Sequence, residues 1–348
     1  MAYRVNSDWT PEEDELLMSL YEKGATASES AEMMQAKGYR RTEAACGLRR
    51  RKLAKDESGP ARPKVERKRS PNRSLEELMA DQAQRFKEKE ARHKQKRGWR
   101  IDMPDDGPYG LMVFGDPHVD DDGCDIEHLA YCLEWANSRD RVHAVNVGDL
   151  TNNWVGRLGR LYAHQHTTDD EGEELMRWLV SAAPWLWIIL GNHDKWGPLA
   201  GAICRDADVL GVSHGAKFHI WSGENCVKVD CRHTHKGHSQ YTPNFAQVKQ
   251  NYRGSDCDVI IAGHTHTSAV TQIRNGVADQ ISLCIRVGAF KRYDEYADQL
   301  GFDDESLGPA ALVVIRPDRQ GADRAVCFHD LDAGEAFLDA MVNQWQSE

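Results

Sequence analysis

Apolar residues recur at helical spacing over the first fifty residues and predict three short helices. The first begins after Thr10, a good N-cap residue with proline next to it, and ends at Gly24. The second ends at Gly38, and the third covers residues 43–53 and closes on a basic run. We therefore expect a three-helix module over residues 1–53.

A different composition follows between residues 54 and 100. Residues 59–73 are rich in proline and basic residues and hold few large apolar groups, which predicts a linker. Ser74 can then cap a charged helix over residues 75–96, with apolar positions only near its start. We expect residues 54–100 to form a basic linker and helix.

From residue 101 onward, short apolar runs alternate with amphipathic segments. The amphipathic segments, residues 126–138 and 171–182, predict helices, and a closing helix is expected over residues 334–345. Strand, helix and strand in alternation indicate a layered α/β domain over residues 101–348. The runs expected to be strands are residues 111–114, 142–147, 185–190, 227–231, 259–262, 281–287 and 310–315.

Length and composition are those of a globular protein of about two domains. The chain has 348 residues, of which 40% are hydrophobic and 28% charged. No apolar run approaches the roughly 20 residues of a membrane span, so we expect no membrane partner. The nine cysteines form no CxxC pair, which fits a reducing compartment. We expect a cytoplasmic protein of a bacterial or phage-infected cell, in an oligomeric state that the sequence leaves open.

Charge is distributed unevenly along the chain. Residues 1–100 hold 24 Lys and Arg against 17 Asp and Glu, a balance of +7, whereas residues 101–348 have a balance of −18. A basic arm on an acidic body suggests an anionic partner such as nucleic acid for the arm. A solvated charged tail is the alternative reading.

Five short motifs supply metal-binding side chains in a fixed order. Each follows a predicted strand, and the carboxyl ends of strands in open α/β sheets converge on one edge, where ligands bind. The glycines of these motifs would let the chain turn sharply. The motifs are Gly115-Asp116-Pro117-His118, Gly148-Asp149, Gly191-Asn192-His193-Asp194, Arg232-His233 and Gly263-His264-Thr265-His266.

This order and content resemble the calcineurin-like metallophosphoesterase superfamily, and the later residues 232–239 and 286–291 resemble a branch common in phage genomes. The resemblance implies a β-sandwich flanked by helices, with two divalent metals at its edge. Asp149 would bridge both metals. His233 is favoured over His235 as a ligand because it stands at the strand end. The first metal would be held by Asp116, His118 and His266, and the second by Asn192, His233 and His264.

The chemistry of this ligand set points to a transition metal. Mixed imidazole, carboxylate and amide ligands suit Mn, Fe, Zn or Ni better than Mg or Ca, and we expect Mn for activity. By resemblance, His193 would protonate the leaving group. Asp194 would orient His193, or would alternatively cap a helix. The acidic run at residues 120–122 is expected to be a solvated turn.

One departure from the family pattern bears on the substrate. Protein phosphatases of the superfamily carry an arginine where this chain has Asn153, and a dianionic monoester wants such a cationic fork. A phosphodiester therefore fits better, and nucleic acid is the leading substrate. The alternatives are a phosphodiesterase for cyclic nucleotides or dinucleotides, a phosphomonoesterase, and a DNA-binding accessory protein with a secondary hydrolase site.

The N-terminal module resembles Myb/SANT-like helix-turn-helix domains. The resemblance rests on the opening Trp9-Thr10-Pro11-Glu12-Glu13-Asp14 and on a third helix that ends in arginines, although the later tryptophans of Myb repeats are missing. It implies DNA contacts from the end of the third helix. A protein-docking role is the alternative. The residues expected to meet nucleic acid are Arg49, Arg50, Arg51 and Lys52.

Overall fold

A computed structural model describes residues 9–58, 73–95, 98–239, 241–276, 279–293, 301 and 308–348. The chain divides into two compact units, Met1–Leu78 and Met79–Glu348. Most of the predicted linker, residues 59–72, lies outside the described residues. The domain limits at residues 53 and 100 stay a prediction.

Three helices form the first unit: α1 (Pro11–Glu22), α2 (Ala27–Ala36) and α3 (Glu43–Ser58). Thr10 and Glu13 make a reciprocal capping box, and Thr26 repeats that arrangement at the start of α2. The third helix continues five residues past its predicted end because good helix formers follow the last apolar position. A small core joins the helices through Leu17, Ala31, Met34 and Cys46.

Helix α4 (Leu75–Gln95) agrees with the helix predicted after Ser74. Ser74 caps it, and none of its residues is buried.

Two six-stranded sheets make the framework of the second unit. One has the strand order β1-β6-β7-β8-β10-β9, and the other has the order β12-β11-β2-β3-β4-β5. The strands of the first sheet are β1 (Trp99–Asp102), β6 (Gly215–Ser222), β7 (Asn225–Arg232), β8 (Val259–Ala262), β9 (Ala269–Asn275) and β10 (Gln280–Arg286). Those of the second are β2 (Tyr109–Phe114), β3 (Val142–Asn146), β4 (Trp185–Leu190), β5 (Gly211–Ser213), β11 (Ala310–Ile315) and β12 (Ala325–Phe328).

The sheets pack face to face, with helices on both outer sides. One core lies between the sheets and another lies between the second sheet and its helices, and alternate residues of β2 belong to each. Leu111 and Val113 join the core between the sheets, whereas Met112 and Phe114 face the helices. Trp187 stacks on Phe218 across the inter-sheet core, with ring centroids 3.9 Å apart. The flanking helices are α5 (Ile126–Asn137), α6 (Asp169–Ser181), α7 (Leu199–Asp206) and α9 (Leu331–Ser347) on the second sheet and α8 (Phe245–Tyr252) on the first.

The predicted fold class, a layered α/β sandwich flanked by helices and preceded by a small helical domain, is confirmed. All seven predicted strands are present, with ends that shift by one or two residues at most. The closing helix begins at Leu331 rather than residue 334 because the side chain of Asp330 caps it. Among the described residues, no helix combines the length and apolar character needed to cross a membrane.

Candidate metal centre

The five motifs meet where the two sheets come together, rather than along the edge of one sheet. The first three follow β2, β3 and β4 of the second sheet, and the last two follow β7 and β8 of the first. Within each group the strands run parallel, so their carboxyl ends lie at the same edge. The predicted convergence is present, but both sheets contribute to it.

Three potential ligands converge on the Nε2 atom of a fourth, His233. Asn192 Oδ1 and His264 Nδ1 each lie 2.9 Å from that atom, and Asp149 Oδ2 lies 3.0 Å away. Lone-pair atoms packed this closely repel one another unless a proton or a cation lies among them. Asp149, His233 and His264 therefore form a cluster able to hold a metal ion, with Asn192 beside it.

The same geometry distinguishes His233 from His235. The Nδ1 atom of His233 donates to the Val147 carbonyl, 3.0 Å away, which leaves Nε2 free to act as a ligand. His235 is also buried, but it belongs to neither cluster of potential ligands in the described chain. His233 thus lies within a candidate ligand cluster, and its role as a ligand stays a prediction.

Asp116, His118 and His266 form a second cluster, and their candidate ligand atoms lie within 4.8 Å of one another. Asp116 Oδ2 accepts a hydrogen bond from the His264 backbone, at 2.7 Å. Asp116 Oδ1 and both ring nitrogens of His118 are buried without a hydrogen-bond partner among the described residues. Buried polar atoms without partners are costly, and a bound cation would satisfy them.

These two clusters fit a dinuclear metal site. They are linked through one loop, because His264 belongs to one cluster and His266 to the other. Asp116 Oδ1 also lies only 3.9 Å from His233 Nδ1. The bridging role of Asp149 stays a prediction, since its carboxylate contacts His233 and His193 but no member of the cluster of Asp116 in the described chain.

Backbone strain is concentrated at the same residues. His118, Asp149, His264 and His266 have φ angles of 43°, 53°, 76° and 52°, in the left-handed region that such residues rarely adopt. Each such residue costs on the order of 1–3 kcal/mol and persists only where its surroundings impose it. Four of the eight non-glycine residues with positive φ in the described chain are candidate ligands, and this share indicates a site built for binding rather than for stability.

Motif glycines serve the site chiefly by leaving room. A Cβ atom on Gly191 would collide with Asp149 Oδ1, and one on Gly263 would collide with Asp116 Oδ1. The predicted sharp turn is found at Gly148, whose φ is 117°. Gly191 and Gly263 are required for a different reason, because a carboxylate oxygen lies where a Cβ atom would be.

The two clusters and Asn192 are together called the cage. The pKa shifts within the cage reflect the burial of charges that a metal would balance. Burial raises the pKa of Asp116 to about 8. Burial disfavours the charged form of His233, but Asp149 and Asp116 outweigh it and raise the pKa of His233 to about 9. Burial lowers the pKa of His118 well below its ordinary value. A bound cation would favour the ionised carboxylates and neutral imidazoles that ligation needs.

His193 lies beside both clusters with one nitrogen already engaged. Its Nδ1 atom donates to the Asn152 carbonyl, and its Nε2 atom is 3.9 Å from Asp149 Oδ2. Its ring meets that of His118 edge-on, with centroids 5.1 Å apart. Burial lowers the pKa of His193. The imidazole is thus held by a backbone carbonyl, with Nε2 directed toward the cage.

Asp194 does not orient His193, and this expectation is wrong. Its carboxylate, only 3% exposed, accepts hydrogen bonds from the backbone amides of Asp149 and Gly191, both at 2.8 Å, and of Leu150, at 3.0 Å. Consecutive residues point in different directions, so Asp194 turns away from the imidazole. It caps no helix either, since α7 begins only at Leu199. It instead fixes the loop that presents Asp149.

The acidic run at residues 120–122 is not a solvated turn. Asp120 is 5% exposed and accepts from the Asn152 amide at 2.7 Å, while Asp121 pairs with the buried Lys291 at 2.9 Å. Only Asp122 has a largely exposed partner, His166. This run therefore braces the loop that follows Asp149.

Several residues around His193 carried no sequence signal. The Asn152 carbonyl that holds the imidazole is a backbone group, which a side-chain motif cannot reveal. Trp154 and Trp196 approach the His193 ring, with centroid distances of 5.1 and 4.2 Å. No motif marks either tryptophan, and only their proximity to the second and third motifs could have drawn attention to them.

In the N-terminal unit, the four basic residues expected to meet nucleic acid have different surroundings. Arg49 pairs with Asp14, and Arg50 lies over the ring of Tyr21 at 4.3 Å. Arg51 and Lys52 are exposed. Arg51 Nε also donates to the Gly47 carbonyl at 3.2 Å, so three of the four side chains are engaged within the module.

Comparison with known proteins gives distant structural likenesses. No protein-family model and no curated protein sequence matches this chain. A predicted phosphoesterase from Streptococcus pneumoniae is 13% identical, with a TM-score of 0.32 over 64% of this chain and 97% of its own. The nuclease MPE of Pseudomonas putida is 15% identical, with a TM-score of 0.30 over 63% and 87%. Scores this low support no argument about activity.

Proposed function

We propose that this chain is a dinuclear-metal-dependent phosphoesterase that hydrolyses phosphodiester bonds of nucleic acid. The observation that carries the proposal is the pair of adjoining Asp/His clusters at the meeting of the two sheets. Asp116, His118 and His266 would hold one ion, and Asp149, Asn192, His233 and His264 the other. When bound, two such ions supply neutralisation of phosphate charge and activation of the attacking water.

His193 is the proposed general acid. Because Nδ1 donates to the Asn152 carbonyl, Nε2 is the atom that would deliver a proton to the departing oxygen. The backbone amide of His193 also donates to Asp149 Oδ1 at 3.0 Å, which ties the acid to the cage. A positioned acid of this kind contributes typically about 10²–10⁴-fold in rate.

A diester is favoured over a monoester by the position after the second motif. Asn153 is uncharged, and its amide already donates to the His193 carbonyl at 2.8 Å. It therefore supplies no cationic fork for a dianionic phosphate. A singly charged diester has less need of one.

For the metal, we propose Mn²⁺, with Fe, Zn and Ni as the other candidates that the ligand set accepts. The test is hydrolysis by the purified chain with each metal, on oligonucleotides, cyclic nucleotides and a phosphomonoester. We expect metal-dependent cleavage of the oligonucleotide that Asp149→Asn abolishes. Cleavage of cyclic nucleotides or monoesters alone would refute the nucleic-acid substrate, and inactivity with every metal would refute the enzyme.

We further propose that the N-terminal module tethers the enzyme to DNA and so raises the local substrate concentration. The exposed Arg51 and Lys52 support this proposal. Replacing both with alanine should weaken DNA binding. It should also reduce the magnitude of the slope of the logarithm of the binding constant against the logarithm of salt concentration, by about one for each lost phosphate contact. Alanine at Lys87 and Lys89, two exposed lysines of α4, is the matched control. Equal effects of both pairs would contradict the tether.

A further inference from the structure

Two tryptophans flank the proposed acid on neighbouring loops. Trp154 meets His193 edge-on, and Trp196 lies against the same ring at 48°. The two loops are joined, because the Asn153 side chain donates to the His193 carbonyl. Asn153 itself has a φ of 39°, in the left-handed region, so the backbone at Trp154 is held in an unusual conformation.

Trp196 and two apolar residues near the tryptophans in sequence are exposed, while Trp154 is half-buried. Trp196 is 36% exposed, and Leu199, the first residue of α7, is 37% exposed, while Val155 beside Trp154 is 41% exposed. Core packing does not account for large apolar side chains left in solvent at the rim of a site. Such patches mark places where a ligand covers them.

Positive charge lies on the same two loops. Lys195 precedes Trp196, and Arg157 and Arg160 follow Trp154 on the short 3₁₀ segment Gly156–His164. All three are exposed. The surrounding residues 101–348 carry a net balance of −18, so cations beside exposed aromatic rings are a local exception.

We propose that Trp154 and Trp196 are a stacking platform for the nucleobase next to the departing oxygen. The inference deepens the proposed function and rests on it. Because the platform adjoins the acid, the base that stacks there belongs to the nucleotide that leaves. Aromatic rings stack on any base, whereas flanking cations meet the backbone phosphates, a combination found where unpaired strands bind. The preferred substrate is then a single strand or an unpaired end.

A short single-stranded oligonucleotide and its abasic counterpart test the platform. The two share every phosphate and differ only in the base on the leaving side of the cleaved bond. We expect the unmodified strand to be cleaved with a kcat/KM roughly 5- to 150-fold higher, the range that base stacking supplies. Trp196→Ala should remove this preference by slowing the unmodified strand alone, and Trp196→Phe should retain most of it. Trp178→Ala, which removes an equally exposed (38%) tryptophan on α6, is the control.

A purely structural role would give a different pattern. If Trp196 only positioned His193, Trp196→Ala would slow both strands by the same factor, and the stacking proposal would be overturned. Binding of the same two strands to the metal-free full chain gives a readout that does not depend on turnover. A base-dependent affinity that Trp196→Ala abolishes supports the platform even if no metal yields hydrolysis. An affinity that is equal for both strands refutes it, whatever the fate of the proposed enzyme activity.

Discussion

Replacing Asp194 with asparagine should weaken metal binding, although Asp194 touches no metal site directly. Its two oxygens accept three backbone N–H groups, from Asp149, Leu150 and Gly191. An amide has one oxygen, so at best it keeps the two bonds on one side and turns its own N–H toward the Leu150 amide. The Leu150 N–H and the amide N–H that faces it are then both unsatisfied, and each buried donor costs about 1–3 kcal/mol of unfolding free energy.

The loop that relaxes is the one that holds Asp149 at a φ of 53°. Residues that orient a metal ligand typically change metal affinity by about 10–100-fold when they are replaced. We therefore expect Mn²⁺ affinity to fall by about that factor in Asp194→Asn. Competition with a fluorescent chelator measures the affinity, and urea titration measures the unfolding free energy.

Two controls separate this effect from others. Asp258→Asn removes a buried carboxylate that accepts from the Lys228 amide at 2.8 Å, away from the cage, so it should cost stability but leave Mn²⁺ affinity unchanged. His193→Gln should slow turnover while the affinity stays near that of the wild type. If Asp194→Asn behaved like His193→Gln, with slow turnover and unchanged affinity, Asp194 would act on the acid and our reading of its three hydrogen bonds would be wrong.

Three further outcomes follow from the structure. Gly191→Ala should abolish Mn²⁺ binding measured by calorimetry, because its Cβ would displace the Asp149 carboxylate; binding that persists contradicts this close approach. Trp187→Ala should cost about 3–5 kcal/mol in urea unfolding, since it empties the fully buried stack between the sheets, and a loss below about 1 kcal/mol contradicts that packing. In metal-free protein, Asp116 and His233 keep protons that the unfolded chain has released, because their folded pKa values are raised to about 8 and about 9. The unfolding free energy of the metal-free protein should therefore fall as pH rises from about 7 to about 8, by roughly 1.4 kcal/mol per pH unit for each retained proton. Bound Mn²⁺ should reverse this trend. An unfolding free energy in urea that does not change with pH contradicts the prediction.

The elements that could be predicted from the sequence are those with continuous apolar runs. β4 (Trp185–Leu190) and β8 (Val259–Ala262) have the bounds predicted for them, because strands buried on both faces need apolar residues at every position. Three of the strands that were missed, β1, β6 and β9, alternate instead. In β6 (Gly215–Ser222), Lys217, His219 and Trp221 are only partly buried, so the run contains polar residues and lacks a clear signal.

Within the site, the convergence of the candidate ligands could be predicted, but the contacts that hold them could not. A side chain that serves as a ligand belongs to a motif, and the motif places His233 and Asn192 at strand ends. The groups that hold the imidazoles are backbone atoms, which every residue possesses: the Val147 carbonyl holds His233, and the Asn152 carbonyl holds His193. Asp194 shows the converse case, because adjacency to His193 in sequence suggested a contact that the turn of the chain prevents.

The arrangement of the cage lowers the stability of the metal-free fold. Four candidate ligands have left-handed backbone conformations, and Asp116 keeps a buried oxygen without a partner among the described residues. Neither feature adds stability to the empty protein, and each costs on the order of 1–3 kcal/mol. Rigid sheets on both sides can sustain such strain, because their strand ends have little freedom to relax. Bound ions would then find ligands already in place, so little ordering entropy would oppose their binding, and part of the folding free energy would depend on the metal.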